Sequence, residues 1–249
     1  MEQYIIDPTI SYDVVELPSR GIYYQNKKKS LRIAYLTASD ENILSAQNLI
    51  QSNTVIDELL KRKILDKDIN VDDLVDEDRN AILIFLRNTA FGPEYNFYLK
   101  DPKTNQEFTS VIDLSEVKIK DFTLQPDENG EFKYFFEKSQ INITFTFLTK
   151  KQKKELEEIN KSWNGTGVAP LVTKELEMMI KSIEGNRELM NIHNFVNKLP
   201  IKDSQNFRKF VRENKPNLDL TKKILAPSGE ELTVEVGFGV EFFRPFYGI

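Results

Sequence analysis

Cysteine is absent from this chain of 249 residues, and histidine occurs only once, at His193. The lack of cysteine excludes disulfides, thiolate zinc sites and cysteine nucleophiles. One histidine without an acidic cluster at ligand spacing cannot complete a metal site. His193 lies in a polar, helix-forming stretch, which favours a solvated or hydrogen-bonded role over catalysis. We therefore expect no metal site.

Signatures of phosphate binding and nucleophilic catalysis are also missing. The sequence contains neither G-x-x-x-x-G-K-[ST] nor G-x-G-x-x-G, and it has no nucleophile-elbow pattern. Acidic residues at 71–73 and 76–78 precede apolar runs, where acids usually begin helices. Two carboxylates at the spacing for glycoside cleavage stay an alternative, because that spacing is a property of the structure. We predict no catalytic residue, no cofactor and no enzymatic activity.

Net charge and hydropathy argue against nucleic acid and membranes as partners. The net charge is −5, and the lysine runs at 26–29 and 149–154 have no interleaved aromatic residues. No stretch approaches the roughly 18 apolar residues of a membrane-spanning helix. The N-terminus lacks a basic region followed by an apolar run, so we expect no signal peptide. Apolar residues make up 40% of the chain, which is typical of a globular protein.

Hydrophobic periodicity predicts a hairpin and then helices in the N-terminal part. Residues 13–37 show extended chain, a turn around Pro18 and Gly21, and extended chain again. The helix at 76–92 is apolar on all sides at its centre, so it should be buried. The helices predicted here are 37–50, with Ser39 or Asp40 as its cap, 55–65 and 76–92.

From Tyr95 to Phe147 the period changes to that of β-strands, and two hairpins are the simplest interpretation. One face of "INITFTFL" is apolar and should be buried, and it carries Ile141, Ile143, Phe145 and Phe147. Further helices are predicted at 149–167, 170–185, 186–199 and 200–214, and a hairpin at the C-terminal end.

These elements predict an α+β protein, in which N-terminal helices pack with antiparallel β-hairpins. A helical region and a C-terminal β-hairpin follow. We divide the chain into an α+β lobe at 1–148, a helical bridge with a glycine-rich hinge at 149–167, and a helical lobe at 168–249. The last of these lobes is closed by the C-terminal hairpin and an aromatic tail.

Two phrases of the sequence are similar to each other. With one residue dropped, "DPKTNQEFTSVIDL" at 101–114 aligns with "APSGEELTVEV" at 226–236. Pro102 pairs with Pro227, and Asn105 pairs with Gly229. Both phrases predict strand, Pro-containing turn and strand. A duplicated element and two unrelated hairpin tips are both compatible with these residues.

The C-terminal stretch "GFGVEFFRPFYGI" is rich in aromatic residues. Phe242 and Phe243 are adjacent, so in a strand they would point to opposite faces, and one of them needs a second surface to cover it. The covering surface is either the chain's own core, which we favour slightly, or a partner. Aromatic and Arg side chains in one short segment are typical of binding hot spots.

Four stretches together resemble the baseplate hub proteins of T-even-type contractile-tailed phages, a group with a hub subunit and a related hub assembly catalyst. They are "ELPSRGIYY", "LTASDENIL", the long segment from Val55 to Gly92, and "PSGEELTVEVGFGVEFFRP". The resemblance covers most of the chain in order and is weakest over 125–199. In some relatives a Cys-Pro-x-Cys turn stands at 101–104 and another near 226–229. Without these cysteines, we expect no metal and turns held by packing and Pro/Gly geometry.

The resemblance implies a non-enzymatic assembly factor of the central baseplate hub, present in the host cytoplasm during tail assembly. Its partners would be other hub proteins, including spike and tape-measure components, with no nucleic acid and no membrane span. The alternatives are a structural subunit retained in the virion baseplate and a hub-associated cell-wall hydrolase. The candidate partner-binding residues are Leu17, Pro18, Tyr23, Tyr24, Phe238, Phe242, Phe243, Arg244, Phe246 and Tyr247.

Overall fold

The computed structural model describes residues 9–163 and 167–243. The strands are β1 Tyr12–Glu16, β2 Ser30–Ala34, β3 Glu94–Lys100, β4 Glu107–Asp113, β5 Phe132–Phe136, β6 Ile141–Phe145, β7 Ile180–Ile183, β8 Thr221–Leu225 and β9 Glu231–Glu235. The helices are α1 Ala38–Leu44, α2 Gln47–Gln51, α3 Val55–Lys63, α4 Asp76–Phe91, α5 Lys150–Ser162, α6 Leu171–Met179, α7 Leu189–Lys198 and α8 Ile201–Asn214. Short 3₁₀ turns occupy Val71–Asp73, Leu114–Glu116 and Val240–Phe243. The predicted α+β class is confirmed.

The described chain forms two compact units. Residues 9–21, 26–120 and 217–243 make up one, which we call the terminal unit. Residues 22–25 and 121–216 belong to the other, the central unit. The chain therefore leaves the terminal unit twice and returns to it twice.

The core of the terminal unit surrounds α4. Ile82 and Leu86 of this helix are fully buried, as are Leu59 and Leu60 of α3 and Ile33 of β2. Each fully buried aliphatic side chain of this kind contributes about 1.5–3 kcal/mol through removal from water. The predicted burial of α4 on most of its sides is confirmed, because the apolar residues at its centre are almost all buried.

Three two-stranded antiparallel hairpins complete the terminal unit: β1–β2, β3–β4 and β8–β9. They confirm the extended–turn–extended prediction for 13–37 and the C-terminal hairpin. In β3–β4, Leu99 pairs with Phe108, and in β8–β9, Ile224 pairs with Leu232.

The central unit is built on the three-stranded antiparallel sheet β5–β6–β7. Phe136 and Phe145 of this sheet and Phe207 of α8 are fully buried, with the rings of Phe145 and Phe207 5.2 Å apart. Edge-to-face pairs of this kind add about 0.5–1.5 kcal/mol beyond burial. Of the predicted apolar face of "INITFTFL", Ile143, Phe145 and Phe147 are buried, and Ile141 is half-buried against the same core.

Two helix predictions need correction. The helix expected at 37–50 is divided into α1 and α2, and its cap is Thr37 rather than Ser39 or Asp40. Asp40 takes the third helical position, where its carboxylate accepts a hydrogen bond from the Thr37 amide at 2.7 Å. Thr37 and Asp40 therefore form the reciprocal pair of a capping box.

The helix expected at 170–185 ends at Met179, and β7 follows it. Ile180 and Ile183 pair with Phe145 and Ile143 of β6, so these β-branched residues gain a buried place in the sheet. Tertiary pairing here overrides a helical pattern that has only local support.

The units also differ from the division that the sequence suggests. The β5–β6 hairpin pairs with β7 and belongs with the helices that follow it, while the C-terminal hairpin joins the terminal unit. The Asp219 amide donates to the Lys118 carbonyl at 2.9 Å, which ties the chain before the central unit to the chain after it. Of the glycine-rich hinge, residues 164–166 lie outside the described residues.

Candidate interaction surfaces

The segment "LPSRG" is anchored inside the terminal unit. Leu17 and Pro18 are buried. Ser19 donates to the buried Asp78 carboxylate twice, from its amide at 2.9 Å and from its hydroxyl at 2.6 Å. Gly21 has φ +78°, and a Cβ on it would lie 2.6 Å from the backbone of Lys27. The side chains of Leu17 and Pro18 therefore support the fold and leave little surface for a partner.

The two tyrosines that follow this segment, Tyr23 and Tyr24, belong to the central unit. Tyr24 is buried and Tyr23 is half-buried, with the Tyr23 ring 6.2 Å from that of Phe147 in an edge-on contact. Tyr23 lines a hollow of about 140 Å³ together with Ile22, Phe132 and Phe147. Of the candidate residues in this segment, Tyr23 is the one whose side chain is partly exposed.

The aromatic residues before the C-terminus pack in the terminal unit's own core. Phe242 and Phe243 are almost fully buried, and Phe238 is half-buried. The Phe242 ring lies 5.4 Å from that of Tyr95 and 5.0 Å from that of Phe238. The slightly favoured own-core interpretation therefore holds for this pair. Arg244, Phe246 and Tyr247 lie outside the described residues.

A buried guanidinium holds this aromatic cluster, and the sequence patterns did not single it out. Arg87 of α4 is 1% exposed, and its Nη atoms donate to the carbonyls of Gly92 at 2.6 Å and Glu94 at 2.8 Å. Its Cζ lies 5.3 Å from the Tyr95 ring centre and 5.7 Å from that of Phe242. Among the described residues no carboxylate pairs with it, and burial lowers the pKa of Arg87. Two carbonyls and two aromatic faces thus replace a counter-ion.

The tips of the two similar hairpins meet in space. Asp101 is fully buried, and its Oδ1 accepts from the amides of Lys103 at 2.9 Å and Thr104 at 3.2 Å within its own turn. Its Oδ2 accepts from the amide of Ser228 at 2.8 Å, in the other turn. An ion pair between Lys103 and Glu230 joins the same two tips. The turns are therefore held by a carboxylate in addition to the expected packing and turn geometry.

Hydrogen bonding also determines the ionisation of Asp101. Burial by itself raises the pKa of this carboxyl group, but the bonds from Ser228, Lys103 and Thr104 outweigh burial and lower its pKa. Asn105 and Gly229, which the alignment of the two phrases pairs, both have positive φ, +58° and +84°. The two turns therefore share a left-handed residue before the second strand but differ in length: the Asn105 amide donates to the carbonyl of Asp101, four residues earlier, and the Gly229 amide to that of Ala226, three residues earlier.

Apolar side chains stay exposed on ordered elements of both units. At the start of α7, Leu189 is 81% exposed and Met190 is 68% exposed. On β1 of the terminal unit, Val14 is 60% exposed and Tyr12 is 40% exposed. Contiguous exposed apolar surface is typical of sites that contact another protein.

The described part of the chain offers few groups that could bind a metal or take part in catalysis. His193 is half-exposed, with Nδ1 2.7 Å from Oε1 of Glu177, which agrees with the predicted hydrogen-bonded role. Within 9–163 and 167–243, no three acidic or histidine side chains cluster as metal ligands would. No helix of these ranges has the length and apolar character needed to cross a membrane.

Comparison with known proteins gives a family. No curated protein and no solved structure matches the chain. A family model described as T4 bacteriophage base plate protein matches residues 10–244, which is nearly all of the sequence. The chain therefore belongs to the T4 bacteriophage base plate protein family.

Proposed function

We propose that this baseplate protein promotes assembly of the central hub by binding other hub proteins, spike and tape-measure components among them. It acts in the host cytoplasm and without covalent chemistry. Family membership supports the baseplate role. The observation that supports binding to another protein is the exposed pair of apolar side chains at the start of α7, Leu189 and Met190. Their exposure in a regular helix supports a contact with another protein.

The side chains proposed to bind partners differ in how much of their surface is exposed. Tyr23 and Phe238 keep part of their surface, while Leu17, Phe242 and Phe243 are buried. Buried residues can contribute to binding only by shaping the surface above them. Leu189 and Met190 are therefore added to the proposed binding residues.

Mass spectrometry of purified tails, together with a pull-down from infected cells, tests the proposed role. We expect the protein among captured hub precursors and not among the components of finished tails. A fixed stoichiometry in finished tails would instead establish the alternative, a structural subunit retained in the virion. Normal hub formation without the protein would contradict both.

A substitution at the start of α7 tests the contact itself. We expect Leu189→Lys to reduce hub formation by about tenfold, because a charge replaces an apolar side chain worth about 1.4 kcal/mol or more at an interface. The melting temperature should stay unchanged, since Leu189 is 81% exposed. Hub formation is measured by complementation of a phage that lacks the protein.

Asn194→Lys is the matched control, because Asn194 is an exposed residue of the same helix. It should leave hub formation at the wild-type level. Equal hub formation by the Leu189 and Asn194 variants would remove α7 from the proposed surface. Truncation after Gly237 is a less specific test, because it also removes the buried Phe242 and Phe243.

A further inference from the structure

The strand β1 has one edge occupied and one edge open. The Leu17 amide donates to the Lys29 carbonyl at 2.8 Å, and the Tyr35 amide donates to the Ser11 carbonyl at 3.1 Å. In an antiparallel ladder, alternate residues pair with the neighbouring strand. The odd-numbered residues of β1 therefore bond to β2, and the N–H and C=O groups of the even-numbered residues point away from it.

These outward groups have no hydrogen-bond partner in the described chain. They belong to Tyr12, Val14 and Glu16, and no hydrogen bond within 9–163 and 167–243 joins them to another strand. Tyr12 and Val14 are 40% and 60% exposed, while Val15 is buried against the core. The strand is thus hydrogen-bonded to β2 along one edge, and its residues Tyr12 and Val14 are exposed beside the other.

Proteins usually protect such an edge. Lysine and other charged side chains, proline and β-bulges are common devices that prevent a second strand from pairing. The sequence of β1 is YDVVE, which has neither lysine nor proline, and its register with β2 is regular over five residues. Its only charges are the acids Asp13 and Glu16, which repel an acidic strand but attract a basic one, so the edge favours a role in binding an extended segment by strand addition.

Charge indicates what kind of strand fits. Asp13 and Glu16 are exposed acids, and β1 carries no basic residue. The Asp13 carboxylate accepts a hydrogen bond from the Tyr35 hydroxyl at 2.5 Å, which keeps it at the surface of the hairpin. A second copy of β1 would bring two more acids to the same ladder, whereas a basic strand would neutralise these two.

We propose that the open edge of β1 binds an extended, basic segment of another baseplate protein, which adds to the β1–β2 hairpin as a third strand. The inference rests on the proposed function for the identity of the partner as a baseplate component. Backbone hydrogen bonds to Tyr12, Val14 and Glu16 hold the segment, and its lysine or arginine side chains pair with Asp13 and Glu16. Its apolar residues cover Tyr12 and Val14.

A synthetic peptide of about nine residues, with valine and threonine in the middle and lysines near both ends, serves as the probe. Amide hydrogen exchange of the full chain is measured by NMR with and without it. We expect exchange at Tyr12, Val14 and Glu16 to slow by about tenfold with this peptide. A peptide with glutamate in place of lysine should have no effect, and added salt should weaken the effect of the lysine peptide.

Two substitutions of one residue separate the edge from its side chain. Val14→Pro removes an outward N–H that β2 does not use, and proline is tolerated at such edge positions. Val14→Thr keeps this donor and the branched shape. In Val14→Pro the lysine peptide should no longer slow amide exchange at Tyr12 and Glu16, while in Val14→Thr it should still do so. The melting temperatures of both variants should show that they are folded.

Unchanged exchange at saturating lysine peptide would overturn the inference, as would equal protection by both peptides. Protection that grows with protein concentration in the absence of peptide would assign the edge to a second copy and overturn the basic partner. The two proposals fail in distinguishable ways. Normal hub assembly by Val14→Pro, where deletion of the protein blocks it, refutes the edge alone. Normal assembly after deletion refutes the proposed function, whatever the peptide does.

Discussion

At the scale of single residues, Arg87 is an unusual feature of the terminal unit. A fully buried guanidinium commonly has a carboxylate partner, because an unpaired charge in the interior is costly. Here the carbonyls of Gly92 and Glu94 end α4 and begin β3, and the rings of Tyr95 and Phe242 lie against the planar group. One side chain therefore connects a helix end, a strand and the C-terminal aromatic cluster.

Replacement of Arg87 by Met should lower the free energy of unfolding by about 2–3 kcal/mol. Methionine fills a similar volume, but it leaves the part-buried carbonyls of Gly92 and Glu94 without the donors that Arg87 supplies. Exchange of the Phe242 amide, which donates to the Gly239 carbonyl at 3.1 Å, should also become faster. Chemical denaturation and hydrogen exchange measure the two effects.

Arg212→Met is the control, since Arg212 is exposed on α8. It should change the unfolding free energy by less than about 0.5 kcal/mol. An Arg87→Met variant as stable as the wild type would mean that the cost of burying the charge equals the gain from its contacts.

At the scale of elements, the joint between the two hairpin tips depends on one carboxylate. Each oxygen of Asp101 serves a different turn: Oδ1 binds its own turn, and Oδ2 binds Ser228, 127 residues later. The ion pair of Lys103 with Glu230 is exposed and adds little by comparison. The buried carboxylate is therefore the main polar link between β3–β4 and β8–β9.

Asp101→Asn should loosen this joint while keeping the first turn. An asparagine oxygen can replace Oδ1 toward Lys103, but its NH₂ group faces the Ser228 amide, so two donors oppose each other. The Ser228 amide should exchange faster. Asp113→Asn is the control, because the Asp113 carboxylate accepts its hydrogen bonds from Ser115, two residues later, and none from the other hairpin. Equal exchange at Ser228 in the Asp101 variant and the wild type would contradict the link.

The same contact predicts a pH dependence with a definite sign. The pKa of Asp101 is lower in the folded chain than in the unfolded chain, so the unfolded state binds its proton first. The contribution of Asp101 is complete above the unfolded value of about 3.9 and is lost as the pH falls through the folded value. Protection of the Ser228 amide should therefore decrease below about pH 4.

At the scale of the whole molecule, stability is divided between two cores. The central unit depends on a phenylalanine cluster around Phe207, and the terminal unit depends on aliphatic residues around α4. Chain connectivity crosses between the units at residues 21, 25, 120 and 216. The residues of the phenylalanine cluster all belong to the central unit.

Phe207→Ala should destabilise the central unit by about 3–5 kcal/mol, because it leaves a cavity among Phe136, Phe145 and Tyr134. Hydrogen exchange should become faster throughout β5, β6 and β7. Protection of α3 and α4 should change much less. Equal loss of protection in both units would show that they unfold as one cooperative body.

Much of this architecture is predictable from local sequence. The hairpins carry alternating residues and Pro/Gly turns, and α4 has an acidic start and an apolar centre. The start of α1 is less predictable, because Ser39, Asp40 and Thr37 are all good caps and only the backbone selects among them. The strand β7 cannot be predicted from the local sequence, since it depends on the pairing of Ile183 with Ile143, 40 positions earlier.

The candidate surfaces divide in the same way. Composition singled out Phe242 and Phe243, and a sequence cannot say whether such residues cover their own core or a partner. The exposed Leu189 and Met190 carried no signal, because an apolar pair at a helix start is common in cores. No sequence pattern indicated Arg87 either, since its partners are carbonyls and aromatic rings rather than charged side chains.

The sequence alone determined the α+β class, the absence of cysteine chemistry, most element positions and the resemblance to baseplate hub proteins, because these depend on composition, local periodicity and short phrases. Tertiary structure alone decided which hairpin belongs to which unit, that Asp101 joins two distant turns, and which edge of β1 is open. The reason is physical: burial, strand pairing and hydrogen-bond satisfaction are settled between residues far apart in the chain, and a local pattern does not contain them.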